Sequence, residues 1–428
     1  MRVVHVSTFE QRFGAARAAF RLHQGLLKQG ADSMMLVRNA EPTSSDAVMF
    51  RRRSNGLARL NRFVRRLEIA RHPFPTPREL APGCELFSDD RTEFGAEPAR
   101  QLPAADVVNL HWVCGFIDYG AFLPKAARRT PLVWTLHDMH PLTGGCHYDS
   151  NCGKFVQKCG ACPQIMTPAD NDPSRQSWIR KRNGLDCVPD SRLHFVAPSR
   201  WMASVAASSS LTRSFPVSVV PNGLDTDLFA PVDRLQARHQ LQLPQDAKIV
   251  LFVAADLRSP RKGFSKLLQA MEQLRDVSGC LLISAGRIDE GTQFPVAHRG
   301  LGFLGDTAAL VAAYSAADLF VIPSIQDNLP NTVLESLACA TPVAGFDVGG
   351  IPDMVRPGET GFLARSGDSD DLARAMRRIL EDPNLARHLS RRCREIAESE
   401  YNLDLQARRY LQLYESMLNG AVPSPSHR

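Results

Sequence analysis

Short runs of apolar, largely β-branched residues recur along this chain, separated by stretches with helical period. Such runs fall at 3–7, 33–37, 107–110, 132–136, 193–197 and 217–220, then at 249–253, 281–285, 319–322 and 342–344. They are apolar at successive positions rather than alternate ones, as expected of strands buried on both faces. Between them, apolar residues return every three or four positions, the period of an amphipathic helix. Strand and helix alternating throughout predict an α/β chain of two successive doubly wound parallel sheets. At 428 residues the chain suits two domains of about 200 each. Residues 1–215 are expected to form the first domain and 216–400 the second. Residues 401–418 are read as a terminal helix packing back on the first domain, and 419–428 as a disordered tail.

Composition changes this picture little. Apolar content of 44% and charged content of 22% describe a globular protein. The opening MRVVHVS reads as a strand, with no apolar signal region ahead of it, and no apolar run approaches the roughly 20 residues of a membrane span. A cytoplasmic location is expected. The net charge of +6 matters more for where it lies: residues 51–71 hold eight arginines against one acid, Glu68. Leu57, Leu60, Val64, Leu67 and Ile69 fall near one face of a helix through this segment. A basic amphipathic helix is either a surface for anionic lipid at the inner membrane face or a solvated helix packed on its domain. No series of stacking aromatics accompanies the arginines, which argues against nucleic acid.

The chemistry concentrates in residues 324–335, SIQDNLPNTVLE, followed by SLACATPVAGFDVGGIP. Ligands of open α/β sheets bind beyond the carboxyl ends of the strands, where the run ending at Pro323 delivers this segment. Asn331 and Thr332 open the next helix, whose free N–H groups suit an anion. Taken alone, Thr332-x-x-Glu335 is equally a capping box, and Asp327 a turn residue. The wider pattern resembles a family. Asp327-x7-Glu335, the small-rich helix, Pro-Val and the Gly-Gly turn are similar to the GT-B glycosyltransferases of family 4. So are FLGDTAALVAAYSAADLFVIPS upstream and RPGETGFLARSGDSDDLARAM downstream.

That resemblance implies a GT-B fold, two Rossmann-like domains facing across a cleft, and retaining transfer from a nucleotide-diphosphate sugar. It assigns ribose binding to Glu335 and donor-sugar contact to Asp327, where the family usually has glutamate. A diphosphate leaving group needs positive charge. In ADLRSPRKGF, 255–264, Lys262 matches the family lysine, while Leu257 stands where the family arginine would be. Arg261, or else Arg258, is expected to replace it. No DxD-type motif implies Mg²⁺. In the first half Gly14 opens a helix in a glycine-rich turn, and His137, ending the strand VWTLHD, matches the family's cleft histidine. His111 and Asp138 are secondary candidates.

GGCHYDSNCGKFVQKCGACPQ, 144–164, spaces Cys146, Cys152, Cys159 and Cys162 as C-x5-C-x6-C-x2-C. The spacing suits a tetrahedral structural zinc site or free thiols. The expected function is sugar transfer to a saccharide acceptor linked to polyprenyl diphosphate, in bacterial surface polysaccharide or exopolysaccharide synthesis. A non-catalytic nucleotide-sugar-binding or scaffold protein of the same fold is the rival.

Overall fold

The structure, a computed structural model, describes residues 1–41, 47–84 and 86–420. The expected tail lies almost wholly outside the described residues. Two compact units divide the chain, Met1–Pro221 with Gln406–Arg428, and Asn222–Leu405.

The first unit holds a seven-stranded parallel sheet. Its strands are β1 (Arg2–Phe9), β2 (Asp32–Asn39), β3 (Ala47–Met49), β4 (Val107–Leu110), β5 (Leu132–Thr135), β6 (Leu193–Ala197) and β7 (Val217–Val219). They lie in the order β3-β2-β1-β4-β5-β6-β7, with Val4 opposite Val108 and Val108 opposite Leu132. Side chains along each strand alternate between two cores. Val4, Val6, Val108, Leu110 and Trp134 point to one face. Val3, Val107, Val133 and Val196 point to the other, where Ala407, Tyr410, Leu413 and Tyr414 of the helix Leu403–Leu418 cover them. The Tyr414 hydroxyl accepts from Asn109 Nδ2 at 2.9 Å, and Tyr410 Oη lies 2.9 Å from Thr135 Oγ1. The sequence's last helix is thus an integral layer of the first unit.

The second unit repeats the plan with six parallel strands. These are β8 (Lys248–Asp256), β9 (Cys280–Arg287), β10 (Ala297–Gly302), β11 (Leu319–Ile322), β12 (Val343–Phe346) and β13 (Gly361–Ala364), ordered β10-β9-β8-β11-β12-β13. Ile249 and Leu251 face one core, Val250 and Phe252 the other. In both sheets the strand order reverses beside the first strand, between β1 and β4 and between β8 and β11. Such switch points are where open α/β sheets bind ligands.

Three strands escaped the apolar-run pattern, β3, β10 and β13. All are edge strands: β3 and β10 (AHRGLG) bury no residue, and β13 (GFLA) is four residues long and opens on a glycine, so none has the continuous apolar run that marks its neighbours.

Candidate functional site

In the second unit the turns after β8 and β11 meet at the switch point. The chain leaves β8 at Asp256 and makes a tight turn, Pro260–Lys262, closed by Gly263 at φ +70°. From β11 it runs through Pro323 and Ser324 to Asp327. Lys262 Nζ donates to Asp327 Oδ2 at 2.6 Å, and Arg261 Nη1 stands 3.5 Å from Asp327 Oδ1. Ser324 Oγ donates to the same carboxylate at 3.1 Å, as does the Asn328 N–H at 3.1 Å. Arg261 also donates to the Gln326 carbonyl at 2.9 Å and accepts from the Ile325 N–H at 2.8 Å through its own carbonyl. Burial pushes the Asp327 carboxyl up, but the Lys262 and Arg261 charges and the bonds from Lys262 and Ser324 outweigh it and hold the group below its ordinary range. Asp327 is an anion clamped by two cations.

Glycines make this approach possible. A Cβ on Gly263 would lie 1.7 Å from the Pro323 carbonyl oxygen, and one on Gly349 (φ +56°) 1.8 Å from that of Asp327. The Gly-Gly turn after β12 thus backs the acid directly, and the Gly350 N–H donates to the Asp327 carbonyl at 3.2 Å.

The two candidate arginines differ in where they point. Arg258 is 44% exposed and forks onto Asp256, at 2.8 Å and 2.6 Å, away from Asp327. Arg261 is the neighbour of Lys262 at the acid. Leu257 is buried in the same core cluster as Phe252 and Leu267, so its position carries packing rather than charge.

Glu335 lies inside the helix Asn331–Ala338, buried, with the Tyr314 hydroxyl donating to Oε2 at 3.3 Å. The capping-box reading fails. The helix is capped by Pro330, with no side-chain cap, and Thr332 sits one residue inside the helix. A buried carboxylate facing a tyrosine hydroxyl is costly as a purely structural device. Asn331 Oδ1 accepts from Asn222 Nδ2 at 3.4 Å at the start of the same helix.

The first unit holds Gly14 and His137. Gly14 is exposed as the second residue of the helix Phe13–Lys28, but the left-handed position of its turn is Phe13, at φ +73°. A bulky residue there is a rare and strained choice, and the turn does not owe its shape to a glycine. His137 ends a chain of imidazoles. His137 Nε2 and His111 Nδ1 are 3.0 Å apart, and His111 Nε2 and His5 Nδ1 2.9 Å apart. Burial pushes His137 down to about 4, and His5 and His111 well below the usual histidine range. All three are neutral near pH 7, so each carries one N–H and one acceptor nitrogen, and the two inter-ring bonds hold His137 in orientation while His5 Nε2 is buried without a hydrogen-bond partner among the described residues. His5 lies within an apolar strand and gave no signal of its own.

Asp138 turns the other way. It accepts from Trp112 Nε1 at 2.9 Å, His147 Nδ1 at 2.6 Å and the His140 N–H at 2.9 Å. Burial opposes its charge, yet His147 and His140 hold it well below the carboxylate range. Next to it, Cys114, His140 and His147 are, among the described residues, the one set of three ligand-type atoms within 4.8 Å of one another. The set is already filled by hydrogen bonds. Tyr119 Oη lies 2.9 Å from His140 Nδ1, Ser88 Oγ lies 2.8 Å from His147 Nε2, and the buried Lys181 Nζ is 3.3 Å from His140 Nε2. Lys181 also donates to the His140 and Thr143 carbonyls. A cation would meet that ammonium, so the network reads as an internal scaffold.

The four cysteines of the insertion are all free thiols and line one cavity of about 20 Å³, together with Phe87 and Phe155. Gly144 N–H donates to Cys159 Sγ at 3.1 Å. All four residues line the cavity, but no three of their sulfurs lie within 4.8 Å of one another.

Comparison with known proteins agrees with this fold. The family model described as Glycosyltransferase Family 4 matches residues 14–228, and that described as Glycosyl transferases group 1 matches residues 233–396. A D-inositol 3-phosphate glycosyltransferase of Kribbella flavida is 30% identical over 352 residues, 78% of this chain and 76% of that protein. The protein of the same name from Streptosporangium roseum is 28% identical over 68% of this chain, which spans only 64% of that relative's length. Among solved structures, Anabaena Alr3699/HepE in complex with UDP aligns with a TM-score of 0.65 at 15% identity, over 97% of this chain and 100% of that one. Two parallel sheets of matching order, an acid-x7-glutamate segment at the second switch point and both family models together place this chain among the GT-B glycosyltransferases of family 4.

Proposed function

We propose that the protein transfers a sugar, with retention, from a nucleotide-diphosphate sugar to a saccharide acceptor carried on polyprenyl diphosphate, in bacterial surface polysaccharide or exopolysaccharide synthesis. The observation that carries this reading is the clamp of Arg261 and Lys262 on Asp327 at the β8–β11 switch point, with Glu335 buried one helix turn into the segment that follows. Two fixed cations suit a diphosphate that gains charge as it leaves. Glu335 offers the ribose diol a carboxylate, and Asp327 one to the donor sugar. In a front-face substitution the anomeric carbon–oxygen bond to the β-phosphate breaks while the acceptor oxygen bonds from the same side. The departing phosphate oxygen takes the acceptor proton, and the protein contributes position and charge. The UDP complex of the Anabaena relative supports a nucleotide-linked donor. No cofactor beyond the donor is required.

Glu335→Gln keeps the side-chain volume and loses the charge. Donor affinity, read by calorimetry across a panel of nucleotide sugars, is expected to drop about tenfold, the loss of one charge-assisted bond. An unchanged affinity would remove Glu335 from the site. The rival reading, a nucleotide-sugar-binding protein without transferase activity, predicts donor binding with neither transfer nor donor hydrolysis in the same panel.

For the insertion we propose a structural zinc held by Cys146, Cys152, Cys159 and Cys162. Its support is the single small cavity that all four line and the N–H···S bond already aimed at Cys159. Zinc–sulfur bonds of about 2.3 Å would draw the sulfurs inward. Protein purified without added metal is expected to carry about one zinc per chain by elemental analysis, lost on Cys159→Ser. Zero zinc with four freely titrating thiols would leave a metal-free thiol cluster.

A further inference from the structure

The helix Gly56–Arg71 is mounted inside out. It buries no residue, yet Leu57, Leu60, Phe63, Val64 and Leu67 are 46–68% exposed. At 100° per residue these five fall on one face, and the half-buried Ala58, Arg62, Arg65 and Ile69 on the opposite one. Ile69 therefore belongs with the inward face, contrary to its grouping from sequence. What fastens the helix is charge. Arg62 Nη1 lies 3.2 Å from Glu97 Oε2 and its Nη2 donates to the Arg53 carbonyl at 2.8 Å, while Arg65 pairs with Asp118 and Arg66 with Glu93. Asn55 caps the start by accepting from the Ala58 N–H at 2.9 Å. An amphipathic helix in a globular protein turns its apolar stripe to the core; this one turns it away.

We propose that this helix docks on an anionic phospholipid bilayer, laying its apolar face into the headgroup region. The occupant follows from charge complementarity. Arg59 and Arg71 are exposed on the helix itself, and Arg51 and Arg53 are exposed in the segment just before it, which adds basic charge beside the stripe and matches anionic headgroups over apolar chains. No described helix is long and apolar enough to cross a membrane, so the contact is with one leaflet. A second protein chain could also cover an apolar stripe, but would have to be acidic at its rim. The inference deepens the proposed function by placing the protein where a polyprenyl-linked acceptor lies. It is testable without any sugar transfer.

The test is flotation of the full chain with vesicles of phosphatidylcholine alone or mixed with phosphatidylglycerol. Wild type should float with the anionic vesicles, at least tenfold less with neutral ones, and less as salt rises. The triple change Leu57→Ser, Leu60→Ser, Leu67→Ser should lower vesicle affinity at least tenfold. Arg59→Gln with Arg71→Gln should weaken binding to anionic vesicles and flatten its salt dependence. Circular dichroism should show both variants folded as wild type, since none of these side chains packs inward. Wild type left unfloated with anionic vesicles overturns the proposal, and so do variants that float as well as wild type. Loss of self-association in the leucine variant, without any flotation of wild type, would assign the face to a protein contact instead. Flotation without transfer upholds this proposal against the proposed function; transfer to a soluble acceptor without flotation does the reverse.

Discussion

Replacing Lys262 with alanine is expected to lower kcat about 100-fold or more, equivalent to about 2.7 kcal/mol of transition-state stabilisation. Its ammonium sits 2.6 Å from Asp327 on a turn pinned to the β11 loop by a backbone bond from Ile325 N–H to the Arg261 carbonyl. That charge is preorganised, and no reorientation is needed as the diphosphate departs. The same change leaves Arg261, at 3.5 Å, as the cation facing the buried Asp327, so part of the effect should appear as lost stability. Lys262→Arg, which keeps the charge, should recover part of the rate. Arg258→Ala should change kcat less than about threefold, because Arg258 is spent on Asp256 at the surface. A rate within threefold of wild type for Lys262→Ala, or a larger loss for Arg258→Ala, would show that the leaving group is stabilised elsewhere.

A second large effect should come from a residue without a side chain. Gly263→Ala places a methyl 1.7 Å from the Pro323 carbonyl oxygen, and its φ of +70° already costs an L-residue about 1–2 kcal/mol. Because the clash is with backbone, the two loops that carry Lys262 and Asp327 must separate. The expected cost is about 3–5 kcal/mol, seen as a Tm lowered by about 10 °C or more, with transfer lost alongside. Gly367→Ala is the matched control. Its φ is +72°, but its Cβ would meet nothing within 4 Å, so only the conformational cost remains. Equal effects of the two changes in thermal unfolding would mean that close packing of the β8 and β11 turns contributes nothing.

Sequence pattern located most of the central strands, because a strand buried on both faces is apolar at every position, as in the fully buried β4, β5, β6 and β11. The edges β3 and β10 lacked that signal for the same physical reason. The candidate site was legible through resemblance where its residues are close in sequence. Asp327, Glu335 and Lys262 each stand in a local motif, and the structure brings Lys262 to Asp327 across 65 positions. What stayed hidden depends on partners distant in sequence. The capping box at Thr332 was plausible until Pro330 took the cap position. The arginine-rich helix showed two faces in its sequence, but which face turns inward is decided by Glu93, Glu97 and Asp118, tens of residues away. Of the histidines beside His137, His111 stood out at a strand end, whereas His5 did not, because it looks like an ordinary polar interruption in a buried strand.

The return of the helix Leu403–Leu418 to the first unit also sets an order of assembly during synthesis. Residues 222–405 are complete before the ribosome makes the last layer that covers Val3, Val107, Val133 and Val196. At about 5–20 residues per second, synthesis of residues 222–405 takes roughly 9–37 s after residue 221 is made. The first unit meanwhile holds one sheet face bare until Tyr410 and Tyr414 arrive. The part of the protein made first is therefore the last to be finished.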